Sequence, residues 1–545
     1  MILSSEKTIT SYNQSGVWGN VTLDALFRRA AQNNPNRIAL VDAPDRQDWT
    51  GGAPRSLTYA QAETEIRRIA GFFNTVGLEP DDIIAIQSPN TVDTVLCILA
   101  ALRAGLIVSS FPLHWRHSEI LPCLSDIGAK ALITADRVET RMLGEDALNT
   151  AADYFSLKFV FGLGKQLPDG LIDMAPMIAE SPEAFPEPRI SRQGHAANHI
   201  ATLTWVHTPA GPKPIPRSHN HWVAAGLMPF LETRLPSAAK LVIPYILSGL
   251  TGLGAGLVPW LLSEGTLHLH HPLALHSLID HARWIEADYI VVPGSIAPNV
   301  DSSLASWGTK VIAAWNVAAM TPLEYKPEGE FYDLHIAEEY GMVAKLRGQS
   351  TLPNSFRMGS ISAPSASPHA PTLLEISAAE QDLPENIHAS FKGAMVPDVA
   401  WPDKKPAFTF SESGELQTNI PLDICEENDA IIYGFKRPES YAPGMTDLPR
   451  LDDIFTGFPG VKEAAAFLVE DEIVGHRLMV AVVAKDSRMV EVDDFYAYLD
   501  AARVSLAILP HKIIALKRLP KDIRGQIDRE QLAIRVQPAL KGAVA

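Results

Sequence analysis

Cysteine is scarce: there are three in 545 residues, Cys97, Cys123 and Cys425. They are far apart and odd in number, which argues against a disulfide framework and for a reducing, cytoplasmic compartment. Basic charge is also short. Lys and Arg total 46 against 63 acidic residues, a net charge of −17. A chain this acidic is poorly suited to nucleic acid or an anionic membrane, though a local cationic pocket for a phosphate stays open. Positions 1–10 hold no basic segment followed by an apolar one, so no secretory leader is expected. Long apolar runs are few as well. One stretch, 241–262, carries no charge and is long enough to span a bilayer. It is broken by Pro244, Pro259 and glycines at 249, 252, 254 and 256. We expect a buried, glycine-rich core segment and no membrane span.

What is present is ample core material. Apolar residues make up 46% and charged residues 20%, which excludes a largely disordered chain. At roughly 150 residues per domain the length allows three or four domains. The first half alternates helical and strand patterns. Helices are expected over 21–34, 58–76 and 93–103, with strands at 37–42, 83–86, 106–108, 157–161 and 289–292. Such alternation predicts an α/β fold, a parallel sheet flanked by helices. Over 360–434 short strands such as 372–376 and 430–433 sit among Pro- and Ser-rich turns, a β-rich subdomain. A hinge at 435–449 and a small α+β unit over 450–545 follow, with strands at 464–469 and 478–483 and a helix at 495–501.

Five segments carry a pattern together. Residues 201–222 read ATLTWVHTPAGPKPIPRSHNHW. Glu339-Tyr340-Gly341-Met342 comes next, and Thr418 stands sixteen residues before Gly434. Pro449 lies fifteen residues further, and 519–529 reads LPKDIRGQIDR. In order and spacing these resemble the signatures of the adenylate-forming superfamily: acyl- and aryl-CoA synthetases, nonribosomal adenylation domains and luciferases. The family patterns are T-S-G-T-T-G-x-P-K-G, continued in some aryl-acid members as I-P-R-T-H-N, then Y-G-M-T-E, T-G-D, G-R-x-K and L-P-K-T-x-S-G-K-I-x-R. The resemblance implies a large N-terminal domain to about 434 and a small mobile C-terminal domain. It also implies ATP with magnesium, coenzyme A or a carrier thiol, and an acyl or aryl acid as substrate.

The chemistry of that family sets negative charge beside negative charge, so it needs backbone N–H donors, cations and magnesium around the phosphates. This chain departs from the pattern at each of those parts. The S-G-T-T-G positions are Val206, His207, Thr208, Pro209 and Ala210, so both glycines are gone and Pro209 has no N–H. The Thr-Glu of Y-G-M-T-E is Val343-Ala344, and neither can ligate a hard cation. Ile420 stands at the ribose-binding aspartate and Phe435 at the hinge arginine. Gln526 stands at the catalytic lysine, where an amide donates a hydrogen bond without charge.

The expected catalytic set is therefore Gln526, Lys213 and Arg524. The remnant nucleotide site is Thr208, Tyr340, Gly341, Thr418, Asp423 and Arg437, and the acyl pocket is lined by Tyr245, Trp315 and Asn316. The leading expectation is a ligase-like protein that has lost conventional adenylation and binds an acyl or aryl group or a carrier-borne thioester. The alternatives are an active AMP-forming ligase rebuilt around Thr208, Lys213, Asp423 and Arg524, and a structural partner of a biosynthetic enzyme. Three histidines in 268–271 suggest a metal pair, His268 with His270, but a core strand explains them as well and no metal site is expected. His207 reads as filler of the old loop, and no G-x-S-x-G motif supports a hydrolase.

Overall fold

The computed structural model describes residues 1–179, 185–208, 211–315, 324–354, 356–364, 370–379, 388–402, 408–421, 423–424, 430–432, 448–471, 475–485, 490–502, 504, 508–522 and 524–541. The chain divides into two compact units. One comprises Met1–Leu113, Leu121–Val206 and Pro212–Arg437; the other comprises His114–Ile120, His207–Gly211 and Pro438–Ala545.

Fifteen strands build the two large sheets of the first unit. They are β1 Ile38–Val41, β2 Ser56–Thr58, β3 Ile83–Gln87, β4 Ile107–Ser110, β5 Ala131–Ala135, β6 Phe159–Leu163, β7 Ile172–Asp173 and β8 Ile200–Thr208. The remainder are β9 Gly211–Ser218, β10 Lys240–Ile243, β11 Thr266–Leu269, β12 Tyr289–Pro293, β13 Lys310–Trp315, β14 Phe331–Ala337 and β15 Gly341–Leu346. One sheet runs β15-β14-β13-β12-β10-β11-β1-β2, the other β7-β6-β5-β3-β4-β8-β9. The first is parallel except at its two edges, where β14/β15 and β1/β2 are antiparallel. Its inner strands are mostly apolar, interrupted by His268 in β11 and by Asp333 and His335 in β14. In the second sheet β3 pairs in parallel with both β4 and β5. The chain steps one way and then returns past its starting strand, which makes a switch point at β3.

The helix Val92–Arg103 shows why the fold is tight. It is buried nearly all round, so it reads as apolar on every face. Thr91 caps its start, and Arg103 at its end bonds to Asp24 at 2.9 Å and to Glu63 at 2.8 and 2.7 Å. The helix Tyr59–Thr75 packs on it and begins with a reciprocal Thr58–Gln61 capping box.

The uncharged stretch is core, as expected. It forms β10, a π-helix Leu250–Leu257 that is buried throughout, and the helix Val258–Ser263. No described helix is long and apolar enough to cross a membrane. Its glycines allow close approach: a Cβ at Gly254 would lie 2.3 Å from the Met342 methyl. A third sheet joins Gly359–Ser362, Thr372–Ala378, His388–Lys392, Leu416–Pro421 and Thr409–Phe410, all antiparallel. In the second unit Val461–Asp471, Gly475–Ala484 and Lys512–Ala515 form a sheet over the helices Leu448–Thr456 and Val492–Ala501. The helix at 448 takes in Pro449, a residue the sequence reading placed in the hinge; proline is well tolerated in a first turn.

Asp333 anchors the β13–β15 edge. It is wholly buried and accepts from Arg347 Nε at 3.0 Å, Trp315 Nε1 at 2.9 Å and the Asn354 backbone N–H at 2.9 Å. The Arg347 guanidinium lies 4.5 Å over the Phe331 ring. We predict that Asp333→Ala, which strands a buried guanidinium, lowers unfolding free energy by about 3–5 kcal/mol, as read from denaturant titration.

Candidate functional site

The stretch Ile215 to Asn220, which follows the I-P-R-T-H-N pattern, is a structural lock. Ser218 caps the helix His219–Glu232, its hydroxyl accepting from the His221 backbone N–H at 3.3 Å. Asn220 donates to Gly19 O at 3.1 Å and to Asn198 Oδ1 at 2.9 Å, while His219 Nδ1 accepts from Leu23 N at 3.3 Å. Burial lowers the His219 imidazole to about 3 and the His221 imidazole to about 4, so both are neutral.

Arg217 is the centre of the site. Its side chain is fully buried. Nη1 donates to Thr204 Oγ1 at 2.7 Å, Nη2 donates to the Glu338 carbonyl, and the guanidinium sits 5.5 Å over Trp222. The Glu338 carboxylate lies 3.7 Å from Arg217 Nη1 and accepts the Leu250 N–H at 2.7 Å. A Cβ at Gly249 would lie 2.5 Å from that carboxylate. Burial lowers the guanidinium to about 10, against the pull of Glu338 and Glu339. Burial also raises the Glu338 carboxyl, against Arg217. One ion pair thus ties β8 and β9 to the start of the π-helix and to the turn before Tyr340. The sequence reading quoted Arg217 as part of a motif and missed this role; its signal was an arginine in the buried half of β9, next to Ile215 and Pro216.

The candidates fall as follows. Lys213 lies on β9 and is half-buried. Tyr340 is buried and stacks on Phe391 at 4.0 Å and 10°. Gly341 has φ +146, and a Cβ there would lie 2.6 Å from the Met395 sulfur, so glycine is required twice over. Thr418 donates to Ala389 O at 2.7 Å. The strand His388–Lys392 therefore brings Tyr340 and Thr418 to one place.

Val343, Ala344 and Ile420 are buried in the same core cluster. Tyr245 is half-buried, and burial raises its phenol. Trp315 is buried against Asp333 and under Arg347. Thr208 and Asp423 lie in strands, but their side chains, with Asn316, Phe435 and Arg437, lie outside the described residues.

Gln526 and Arg524 belong to the second unit and are exposed. Their backbone N–H groups both donate to Asp522 Oδ1, at 2.8 and 2.9 Å, which shapes a tight loop with Gly525 at φ +79. Gln526 lines a cavity of about 550 Å³ together with Thr456, Lys462, Glu463, Lys521 and Arg529.

Comparison with known proteins agrees with this geometry. A family model described as AMP-binding enzyme matches residues 27–274. A salicyl-AMP ligase / salicyl-S-ArCP synthetase of Mycobacterium tuberculosis is 30% identical over 214 residues, 39% of this chain. The match spans only 36% of that relative's length. A 2-hydroxy-7-methoxy-5-methyl-1-naphthoate–CoA ligase of Streptomyces carzinostaticus is 22% identical over 96% of this chain and 94% of its own. The apo structure of Mycobacterium smegmatis MbtA superposes with a TM-score of 0.61 at 17% identity, covering 98% of both chains. The family match thus covers residues 27–274, under half of the chain, and the chain as a whole has the fold of the adenylate-forming superfamily.

We predict that Arg217→Met, which leaves Glu338 buried without its partner, costs about 3–5 kcal/mol in denaturant unfolding. Adding Glu338→Gln to that variant should recover part of the loss, because the stranded charge is then gone.

Proposed function

We propose that the chain is a divergent acyl- or aryl-CoA synthetase-like protein that has lost conventional ATP-dependent adenylation. It binds an acyl or aryl group, or a carrier-borne thioester, in a biosynthetic pathway. One observation carries the reading. The positions at which the family holds phosphate, magnesium and ribose are Val343, Ala344 and Ile420, at 3, 5 and 1% exposure. They are packed as core and carry no oxygen donor in their side chains. The residues present do not fit a magnesium-bound nucleotide, which needs hard oxygen ligands in near-octahedral array, so no chemical step is derived through one.

Two features support the same reading. Gln526 offers an amide where the family offers a cation. Strand geometry runs to Thr208 and resumes at Gly211, where the family pattern calls for a glycine-rich loop. The relative named for salicyl-AMP and salicyl-S-ArCP supports an aryl, carrier-linked ligand.

ATP–pyrophosphate exchange over a panel of fatty and aryl acids tests the proposal. Loss of a preorganised transition-state donor typically costs about 10²–10³ in rate, so two such losses put exchange on the order of 10⁴-fold or more below an active ligase. Gln526→Lys alone should not restore it. Robust exchange that Lys213→Ala or Arg524→Ala abolishes would overturn the reading in favour of a rebuilt ligase.

A further inference from the structure

Away from this site, four histidines gather at the carboxyl end of β11. His268 lies in the strand, His270 and His271 just past it, and His281 on the facing helix Leu275–Trp284. His268, His270 and His281 are 7, 1 and 4% exposed. The Nδ1 atoms of His270 and His281 are 3.2 Å apart. The His268 ring meets His281 edge-on, with ring centres 5.5 Å apart. His271 bonds Glu139 at 2.8 Å and stacks on Trp49 at 4.4 Å. Trp49 Nε1 in turn donates to Asp45 Oδ1 at 3.3 Å.

Two imidazole Nδ1 atoms at hydrogen-bond distance share one proton: one ring donates and the other accepts. Among the described residues no three metal-binding side chains converge on a point. The species this cluster exchanges is therefore the proton. We propose that the His268–His270–His281 cluster is an acid-sensitive latch that holds the helix Leu275–Trp284 to β11 and opens on protonation.

The physical reason is local. A second proton puts N–H against H–N in the His270–His281 contact and leaves positive charge where water scarcely reaches. The other charged or titratable groups that act on these rings are Asp45, which favours the protonated form, and Lys240 and His271, which oppose it. Burial is the largest influence on all three, lowering His268 to about 3 and His270 and His281 to about 4. In an opened state each histidine returns to about 6.5. Opening thus takes up protons between pH 6.5 and 4. The latch is at full strength above that window and weakens as pH falls through it.

The latch also reaches further into the fold. Asn90, in the loop after β3, donates to Ile243 O at 2.6 Å and to His270 O at 3.3 Å. Loosening at His270 frees one of the contacts between the two large sheets.

Amide hydrogen exchange of the full chain at pH 7 and pH 5, corrected for intrinsic rates, tests this. Peptides covering 266–284 should lose protection by about tenfold or more. The helix Val492–Ala501, in the other unit and without these histidines, serves as the internal reference. A His270→Gln/His281→Gln variant should lose most of that acid response. Equal protection of 266–284 at the two pH values in the wild-type protein overturns the proposal without any variant, and so does an undiminished acid response in the double variant.

Discussion

The site depends on one buried charge. Arg217 sits on β9, the edge strand of its sheet, with no exposed surface of its own, yet it holds Thr204, the Glu338 carbonyl and the Glu338 carboxylate at once. A guanidinium in such a place is costly unless its donors are used, and the surrounding segments supply acceptors to both of its terminal nitrogens. β8 and β9, the start of the π-helix and the turn into Tyr340 are fixed relative to one another by this requirement. Gly249 has no side chain because the Glu338 carboxylate fills that space. Three segments that look independent along the chain are thus parts of one electrostatic arrangement.

The regular elements were legible in the sequence because their cause is local. The apolar runs of β1, β3 and β12, and the helical spacing of Tyr59–Thr75, follow from which side chains must leave water. The uncharged stretch was legible as core because its glycines and prolines contradict a spanning helix. What was not legible was pairing across distance. Trp315 was expected to face a ligand; it is buried and hydrogen-bonded to Asp333, eighteen residues on. Glu338 lies just outside the motif that begins at Glu339, yet its carboxylate lies beside Arg217 and accepts from the π-helix. In both cases the partner residue comes from another element, and no periodicity encodes that.

The motif positions divide on the same physical line. Tyr340 and Gly341 are retained where they serve packing: a ring stacked on Phe391, and a backbone conformation with a sulfur where a Cβ would be. Ser218, His219 and Asn220 are retained as a helix cap and as hydrogen-bond partners of the N-terminal segment. Val343, Ala344 and Ile420 differ from the family pattern, and on the proposed reading they stand where that pattern carries oxygen toward a ligand. Function and stability ask opposite things of such positions, because a carboxylate poised for a ligand is poorly solvated until the ligand arrives. An apolar residue removes that strain and enlarges the core.

That exchange has a consequence for how readily the chemistry could return. An aspartate at 420 or a glutamate at 344 would now enter a packed apolar cluster, and a carboxylate buried without a partner costs several kcal/mol. A lone lysine at 526, on an exposed loop, would cost the fold little and would leave Val343, Ala344 and Ile420 as they are. The proposed loss of adenylation is therefore held in place from both ends. The buried positions resist reversion energetically, and the exposed one gains nothing by reverting alone.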